Sequence, residues 1–352
     1  MQRMKQYSRR DFLKLSALGL GALAFRPFYG AGESISQEMD SDRIVRVAIN
    51  SVSVYKEPDD TSQILYTRYR DELINVYDEL VSEKGPNWNP IWYRVWRGYV
   101  HSARLQPVQF RFNPVPAGIN GDKQLIEITV PFTQSMRKVN GQGWTPMYRL
   151  YYESIHWVVA IEEGPDGNAW YRIKDELLDS DSMDYHIPAE HARLIQPEEL
   201  TPISPELDYN EKRIEVSLLD QTLVAYEKDV PVLTTKISSG IDYKPKDLPE
   251  WSTPRGDFRV VVKMPSKHMG DGQYTPDLNA YELPGVPWST FFTTDGIAFH
   301  GTYWHNNFGN RMSHGCINMK TEEAKWIFRW VRPEVKEIDW DTKGYGTSVL
   351  VY

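Results

Sequence analysis

Cysteine is almost absent from this sequence: Cys316 is the only one in 352 residues. A single thiol cannot close an internal disulfide, so no staple framework organises the chain. Excess positive charge is lacking as well. Forty Lys and Arg stand against 48 Asp and Glu, a net charge of -8, which argues against a nucleic-acid partner bound by phosphate neutralisation. No HExxH and no paired-cysteine pattern marks a zinc site. The apolar run Leu15 to Phe25 holds only eleven apolar or small residues, and a membrane-crossing helix needs about 20. What is present suffices for folded domains: 41% hydrophobic and 13% aromatic residues exclude global disorder, and the length favours two or three domains.

The N-terminus reads as an address rather than as part of the fold. Ser8 to Lys14, "SRRDFLK", sets Arg9-Arg10 ahead of the short apolar run. A basic start followed by such a run is an export signal, and paired arginines point to the twin-arginine route for folded proteins. Residues 1–30 are therefore expected to be a twin-arginine signal and the protein to work outside the cytoplasm, in the periplasm or cell wall. A short amphipathic anchor is the alternative. Without residues 1–30, which carry six cations and one anion, the net charge is -13.

Two later segments echo each other. "WYRVWRGYVHSARLQP" (92–107) and "WYRIKDELLDSDSMDYHIPAEHARLIQP" (170–197) share Trp-Tyr-Arg-aliphatic at the start and His, Ala-Arg-Leu and Gln-Pro at the end. Alternating runs such as "RIVRVAI" (43–49) and "IHWVVAIE" (155–162), separated by Pro, Gly and Asn clusters, predict small antiparallel β-barrels. Residues 43–110 and, with more divergence, 123–200 resemble the bacterial SH3-like modules of cell-wall enzymes. The resemblance implies a positioning role and a possible contact with cell-wall glycan or peptide; a β-rich spacer without a ligand is equally open.

"QPEELTPISPELD" (196–208) reads as a proline-rich, acidic linker, with 201–210 between domains. Beyond it, "RIEVSLLDQTLVAYEKDVPVLTTKISSG" (213–240) alternates through three strands with turns near Asp220-Gln221 and Lys228-Asp229. "DFRVVVKM" (257–264), "GIAFHG" (296–301) and "TSVLVY" (347–352) predict further strands. One helix is expected over "EEAKWIFRWV", capped by Thr321, with acids in its first turn and Pro333 stopping it. The expected fold class is mainly β: two small β-barrels followed by a mostly β domain over 211–352 with one short helix after the cysteine.

The lone thiol directly follows one His-Gly pair, His314-Gly315, and a second pair, His300-Gly301, lies fourteen residues upstream of the first. A thiol becomes a nucleophile as thiolate, and a nearby imidazole is the usual means. His300 ends a predicted strand. Cys316 precedes the predicted helix, whose amides would favour negative charge and form an oxyanion hole. Gly315 would keep the approach of a carbonyl clear. His268 and His305 read as loop histidines, and Tyr303 and Trp304 as packing residues.

His-Gly-Thr at 300–302 followed by Ser-His-Gly-Cys at 313–316, with "TPRGDF" (253–258) and "YELPGVPW" (281–288) upstream, resembles the catalytic domain of the L,D-transpeptidase (YkuD) family. The resemblance covers about 211–352. It implies Cys316 as nucleophile, His300 as general base oriented by the Gly301 carbonyl, His314 lining the site, Ser313 shaping the turn, and Gly315 with Cys316 as oxyanion donors. It also implies a substrate-covering loop over 264–288, with Tyr281 and Trp288 as pocket walls and Asn318 touching substrate where many members carry Arg. The implied reaction acts on peptidoglycan stem peptides, releases D-alanine through a Cys thioester and forms a cross-link, with no cofactor or metal and with carbapenems as covalent inhibitors. Water as acceptor would make the enzyme an L,D-carboxypeptidase. Four ligands, His300, His305, His314 and Cys316, would be needed for a zinc peptidase, and a non-catalytic wall-binding scaffold is a third possibility. A papain-like protease places its cysteine before its histidine, the reverse of this order.

Overall fold

The computed structural model describes residues 43–178, 181–246, 250–335 and 337–352; the expected export signal lies outside them. The protein is mainly β, and one α-helix, Thr321–Trp330, is found among the described residues.

The first module pairs a three-stranded sheet (Leu73–Asn75, Ile44–Val47, Leu105–Val108) with a five-stranded one built around Ser51–Tyr55 and the hairpin Ile91–Val95 and Gly98–His101. The second module is one seven-stranded sheet centred on Ile155–Glu163, Ala169–Leu178 and Asp181–Pro188. The repeated sequence has a structural counterpart. In each copy a hairpin leads into a single 3-10 turn (Ser102–Arg104, Ala189–His191) and then a strand carrying the leucine of Ala-Arg-Leu.

The third part has two five-stranded sheets. The predicted alternation at 213–240 becomes Lys212–Ser217, Thr222–Glu227 and Val230–Lys236, joined in that sheet by Ser348–Val351, which runs parallel to Lys212–Ser217. The other sheet runs in the order Ile317–Met319, Ala298–Gly301, Glu282–Phe291, Val262–Gly270 and Thr342–Lys343. Most of 264–288, expected as a covering loop, is therefore the antiparallel hairpin Val262–Gly270 with Glu282–Phe291, and only 271–281 is its tip.

The helix lies against Glu282–Phe291, burying Thr321, Ala324, Ile327 and Phe328 at the three- and four-residue spacing of one helical face. Its expected cap needs correction. Lys320 occupies the N-cap position without a side-chain bond, and Thr321 is the first helical residue, buried. The strand Ile317–Met319 feeds straight into the helix, so the turn that would free a threonine hydroxyl for capping is absent. At the other end Lys263 Nζ donates to Phe328 O at 2.9 Å and Val331 O at 3.1 Å, and Lys212 Nζ to Trp330 O at 2.8 Å. These buried ammonium groups satisfy carbonyls that a helix leaves without partners.

Residues 201–210 form no strand or helix but are fastened to the helix end: Arg329 Nε donates to Thr201 O at 2.9 Å and Arg332 Nη2 to Leu207 O at 2.6 Å. Leu125, Ile155, Trp157 and Ile195 of the second module share one core cluster with Ile214, Trp288, Ile317 and Phe328. His268, expected in a loop, is buried in Val262–Gly270, 2.8 Å from both Asp175 of the second module and Glu282. Burial opposes its protonation, but the two carboxylates outweigh it and raise its pKa.

The first module is joined by a buried ion cluster. Arg46 Nη1 lies 2.8 Å from Asp71 and Arg149 Nη1 2.6 Å from the other oxygen of Asp71, while Arg46 Nη2 donates to Tyr303 O at 3.0 Å. Asp71 is thus the shared anion of two guanidinium groups from two modules. Its φ of 64 suits Asn as well as Asp, so Asp71→Asn removes the charge with little backbone penalty. The buried Arg46 and the partly buried Arg149 would then lack their counter-charge, and a loss of about 3–5 kcal/mol in denaturant unfolding is expected; an unchanged midpoint would show that the cluster does not hold the modules together.

Candidate active site

The parallel ladder between Ala298–Gly301 and Ile317–Met319 sets the geometry. Phe299 pairs with Ile317 and His300 with Asn318. Alternation then puts Phe299, Ile317 and Met319 into the core and His300, Asn318 and Cys316 on the opposite face. That face borders a cavity of about 600 Å³ lined by all three, within the range of small-ligand sites.

His300 is buried, and its Nδ1 lies 3.0 Å from Gly301 O. A carbonyl only accepts, so Nδ1 carries the proton and Nε2 is left basic. Burial lowers its pKa to about 4, against a small upward pull from Gly301. The half-buried Cys316 places Sγ 3.7 Å from Gly296 O. Desolvation raises its thiol to about 11, eased by an Ala298 backbone hydrogen bond and reinforced by Asp295. The expected resting thiolate is therefore corrected: the unliganded pair is neutral thiol and neutral imidazole, because burial penalises both charged forms.

Ser313 lies in the turn before Cys316. Its hydroxyl donates to Cys316 O and accepts from Gly315 N–H at 3.1 Å. Thr253 of "TPRGDF" braces the same turn, its hydroxyl donating to Gly315 O at 2.7 Å and accepting from Gly240 N–H at 2.8 Å. Gly315 has φ 124, a backbone conformation that side chains rarely adopt, so the conformation favours glycine, while the Ile297 methyl 2.7 Å from a Cβ there could turn aside. Two expectations about the oxyanion donors change. The Gly315 N–H is already bonded to Ser313, and a strand separates Cys316 from the helix, so helix amides do not face the thiol. The Cys316 N–H remains the candidate donor of this turn.

Asn318 is buried, and its amide lies 2.8 Å from His305 Nε2. His305 Nδ1 accepts from Asn307 N–H at 3.1 Å. Burial first, then the charge of Arg104, lowers His305 to about 3, so the ring is neutral and its one proton belongs on Nε2. The pair is satisfied when Asn318 presents its oxygen to that proton, which leaves the amide NH2 free; one end of the Asn318 amide has no protein partner. His305 is thus a buried strut beneath Asn318 rather than a free loop histidine.

His314 is exposed at the cavity mouth, its ring 3.9 Å from Trp251 and 5.3 Å from Tyr281, and Tyr281 borders the cavity. Trp288 does not: it is 1% exposed and packs on Phe328 at 5.4 Å, in the core on the helix side of its strand. Tyr303 is a packing residue, buried at 1% exposure, whereas Trp304 borders the cavity with its ring 5.7 Å from His300. Among the described residues no three of His, Cys, Asp and Glu are grouped as a metal site; His300 and His305 spend ring nitrogens on Gly301 and on Asn307 and Asn318.

Sequence reasoning missed a whole wall. Ala48, Ile49, Asn50, Ser51, Arg70 and Arg104, all from the first module, border the same cavity as Cys316. The module expected only to position the enzyme therefore helps to build its site.

A thiol raised to about 11 makes a clear pH prediction. Below that value each unit of pH multiplies the thiolate fraction tenfold, so alkylation of the free enzyme by iodoacetamide at Cys316 should keep climbing through pH 9 without a plateau. A plateau reached below pH 7 would mean that a thiolate–imidazolium pair already exists.

The family profile of the L,D-transpeptidase catalytic domain (YkuD) matches residues 211–351. Among solved structures, the L,D-transpeptidase from Xylanimonas cellulosilytica is 27% identical over 40% of this chain and 60% of that one, with a TM-score of 0.30. The catalytic domain of the Enterococcus faecium L,D-transpeptidase is 30% identical over 40% of this chain and 96% of that one, with a TM-score of 0.29. Ldtfm in its avibactam carbamoyl form is 20% identical over 63% of this chain and 74% of that one, also at 0.29. The chain spans about 60% of the length of the Xylanimonas protein. No curated protein matches the chain. The assignment rests on the sequence match rather than on superposition: residues 211–351 belong to the L,D-transpeptidase (YkuD) catalytic-domain family.

Proposed function

We propose that the protein is an exported cysteine acyltransferase that cross-links peptidoglycan stem peptides. The carrying observation is that Cys316 and His300, from the family's motif, share one face of a parallel ladder and one cavity. In the proposed reaction the Cys316 thiol gives its proton to His300 Nε2 as Sγ bonds to the carbonyl carbon between the third residue of a tetrapeptide stem and its terminal D-alanine. Proton transfer and attack occur together, since neither partner is charged at rest. The oxyanion would take a hydrogen bond from Cys316 N–H. Imidazolium protonates the departing D-alanine nitrogen as the C–N bond breaks, leaving a thioester. An amine of a second stem then attacks it, passes its proton to His300 and restores the thiol. Water in the amine's place gives carboxypeptidase action. Tyr281, His314 and Asn318 are proposed to contact the donor, with the free amide NH2 of Asn318 as a donor of hydrogen bonds to it.

One support lies outside the site. Ser8 to Lys14 supports export by the twin-arginine route, and lysine at both Arg9 and Arg10 should keep the chain in the cytoplasm, as fractionation would show. Acylation of Cys316 by β-lactams, carbapenems included, is part of the proposal, since a strained amide carbonyl fits the same attack by the thiol. Contact of the modules with cell-wall glycan or peptide also belongs among the proposals.

The test uses the full chain with purified muropeptides and mass spectrometry of the products. Release of D-alanine with a cross-linked dimer is expected, and Cys316→Ala should abolish both turnover and the β-lactam adduct. His300→Ala should slow acylation roughly 10²–10⁴-fold, the range for a positioned base. Turnover that survives Cys316→Ala and is lost with EDTA would replace this reading with a metallopeptidase.

A further inference from the structure

The wall contributed by the first module carries charge of one sign only. Arg70 and Arg104 border the Cys316 cavity, and no Asp or Glu is among its lining residues, in a protein of net charge -8. Arg70 is already occupied: its guanidinium donates to Leu278 O in the hairpin tip and to Asn50 Oδ1. Arg104 differs. Among the described residues its side chain makes no hydrogen bond or ion pair, yet it is half-buried and desolvation lowers its pKa.

The internal repeat sharpens the contrast. Arg104 and Arg193 are the arginines of the two Ala-Arg-Leu copies. Arg193 bonds Glu127 at 2.5 Å and grips Glu199 with two nitrogens at 2.7 and 2.9 Å. In the first copy the same residue type meets no carboxylate among the described residues and borders the cavity. Its backbone is well anchored: Ala48 N–H donates to Arg104 O at 3.0 Å, and Asn306 N–H of the loop beside His305 donates to Ala103 O at 2.9 Å. A partly desolvated guanidinium on an anchored backbone, with no partner among the described residues, is suited to a planar anion, which it binds through two parallel N–H groups. Two residues after the cysteine, where many family members carry Arg, this chain has the neutral Asn318, which carries no charge to pair with a carboxylate and is held at one end of its amide by His305.

We propose that Arg104, supplied by the first module, is the anion subsite of this active site and binds a carboxylate of the acyl-donor peptide, with Arg70 adding positive potential and tethering the hairpin tip. This rests on the reading of the site as an L,D-transpeptidase centre. The catalytic segment then lacks its carboxylate anchor unless the module is docked, so the module acts as part of the substrate site. A stem peptide offers carboxylates at its terminal D-alanine and on residues before it, and the test separates them.

With the full-length chain, kcat and KM are measured for Arg104→Gln, Arg104→Lys and the unaltered enzyme, on donor tetrapeptides in which each carboxylate is amidated in turn. Arg104→Gln should lower kcat/KM roughly 10–100-fold, chiefly through KM, as expected for a lost charge-assisted bond, and lysine should recover part of it. Amidating the carboxylate held by Arg104 should lower the unaltered enzyme by a similar factor and cost Arg104→Gln nothing further, which also identifies the group bound. Undiminished kcat/KM in Arg104→Gln, or an equal loss on every amidated donor, would overturn the inference while leaving the proposed reaction intact. An unaltered enzyme that turns over no donor would remove the proposed reaction and this inference with it.

Discussion

The site depends on one backbone register. Because Phe299 pairs with Ile317 and His300 with Asn318 in parallel, the apolar residues at 299, 317 and 319 anchor the core while their neighbours in sequence turn to the cavity. A slip of one residue would turn His300 into the apolar core and Phe299 to the cavity. The surrounding features serve that register. Ser238 bridges to Asn318 and Gly240 to Ser313 from the outer side, Thr253 and Ser313 fix the turn before Cys316, and Gly301 admits Pro287 and Thr321 where a Cβ would come within 2.7 and 3.0 Å of them.

Burial, rather than ion pairing, sets the resting chemistry. His300 held down to about 4 and Cys316 held up to about 11 describe a catalytic pair that is uncharged until substrate enters. Such a thiol is protected from ordinary electrophiles, and its activation waits on a carbonyl positioned for attack while His300 takes the proton. The Gly301 carbonyl plays the orienting part, fixing the tautomer at the cost of no additional charge.

Much of this was readable in the sequence because it is local. Period-two alternation at 213–240 placed three strands with their turns, and the His-Gly and Ser-His-Gly-Cys spacing marked the residues that line the cavity. The misses are non-local. Alternation assigns Trp288 to a face but does not reveal that the helix covers that face. Thr321 has a capping residue's chemistry, yet a strand runs directly into its helix. Arg104 sits in a repeat that reads as scaffold, and its role is visible only once Asn306 is seen docked on Ala103. His305 likewise acquires its purpose from Asn318, thirteen residues away.

The central claim is that Cys316 carries the acyl group. Rapid mixing of the full chain with a tetrapeptide donor, acid quenching and intact-protein mass spectrometry test it directly. The account predicts a single adduct of the donor less D-alanine, mapping to the peptide that contains Cys316 and released by hydroxylamine as a thioester is. An unmodified protein throughout a burst of D-alanine release, or an adduct on any other residue, would contradict it.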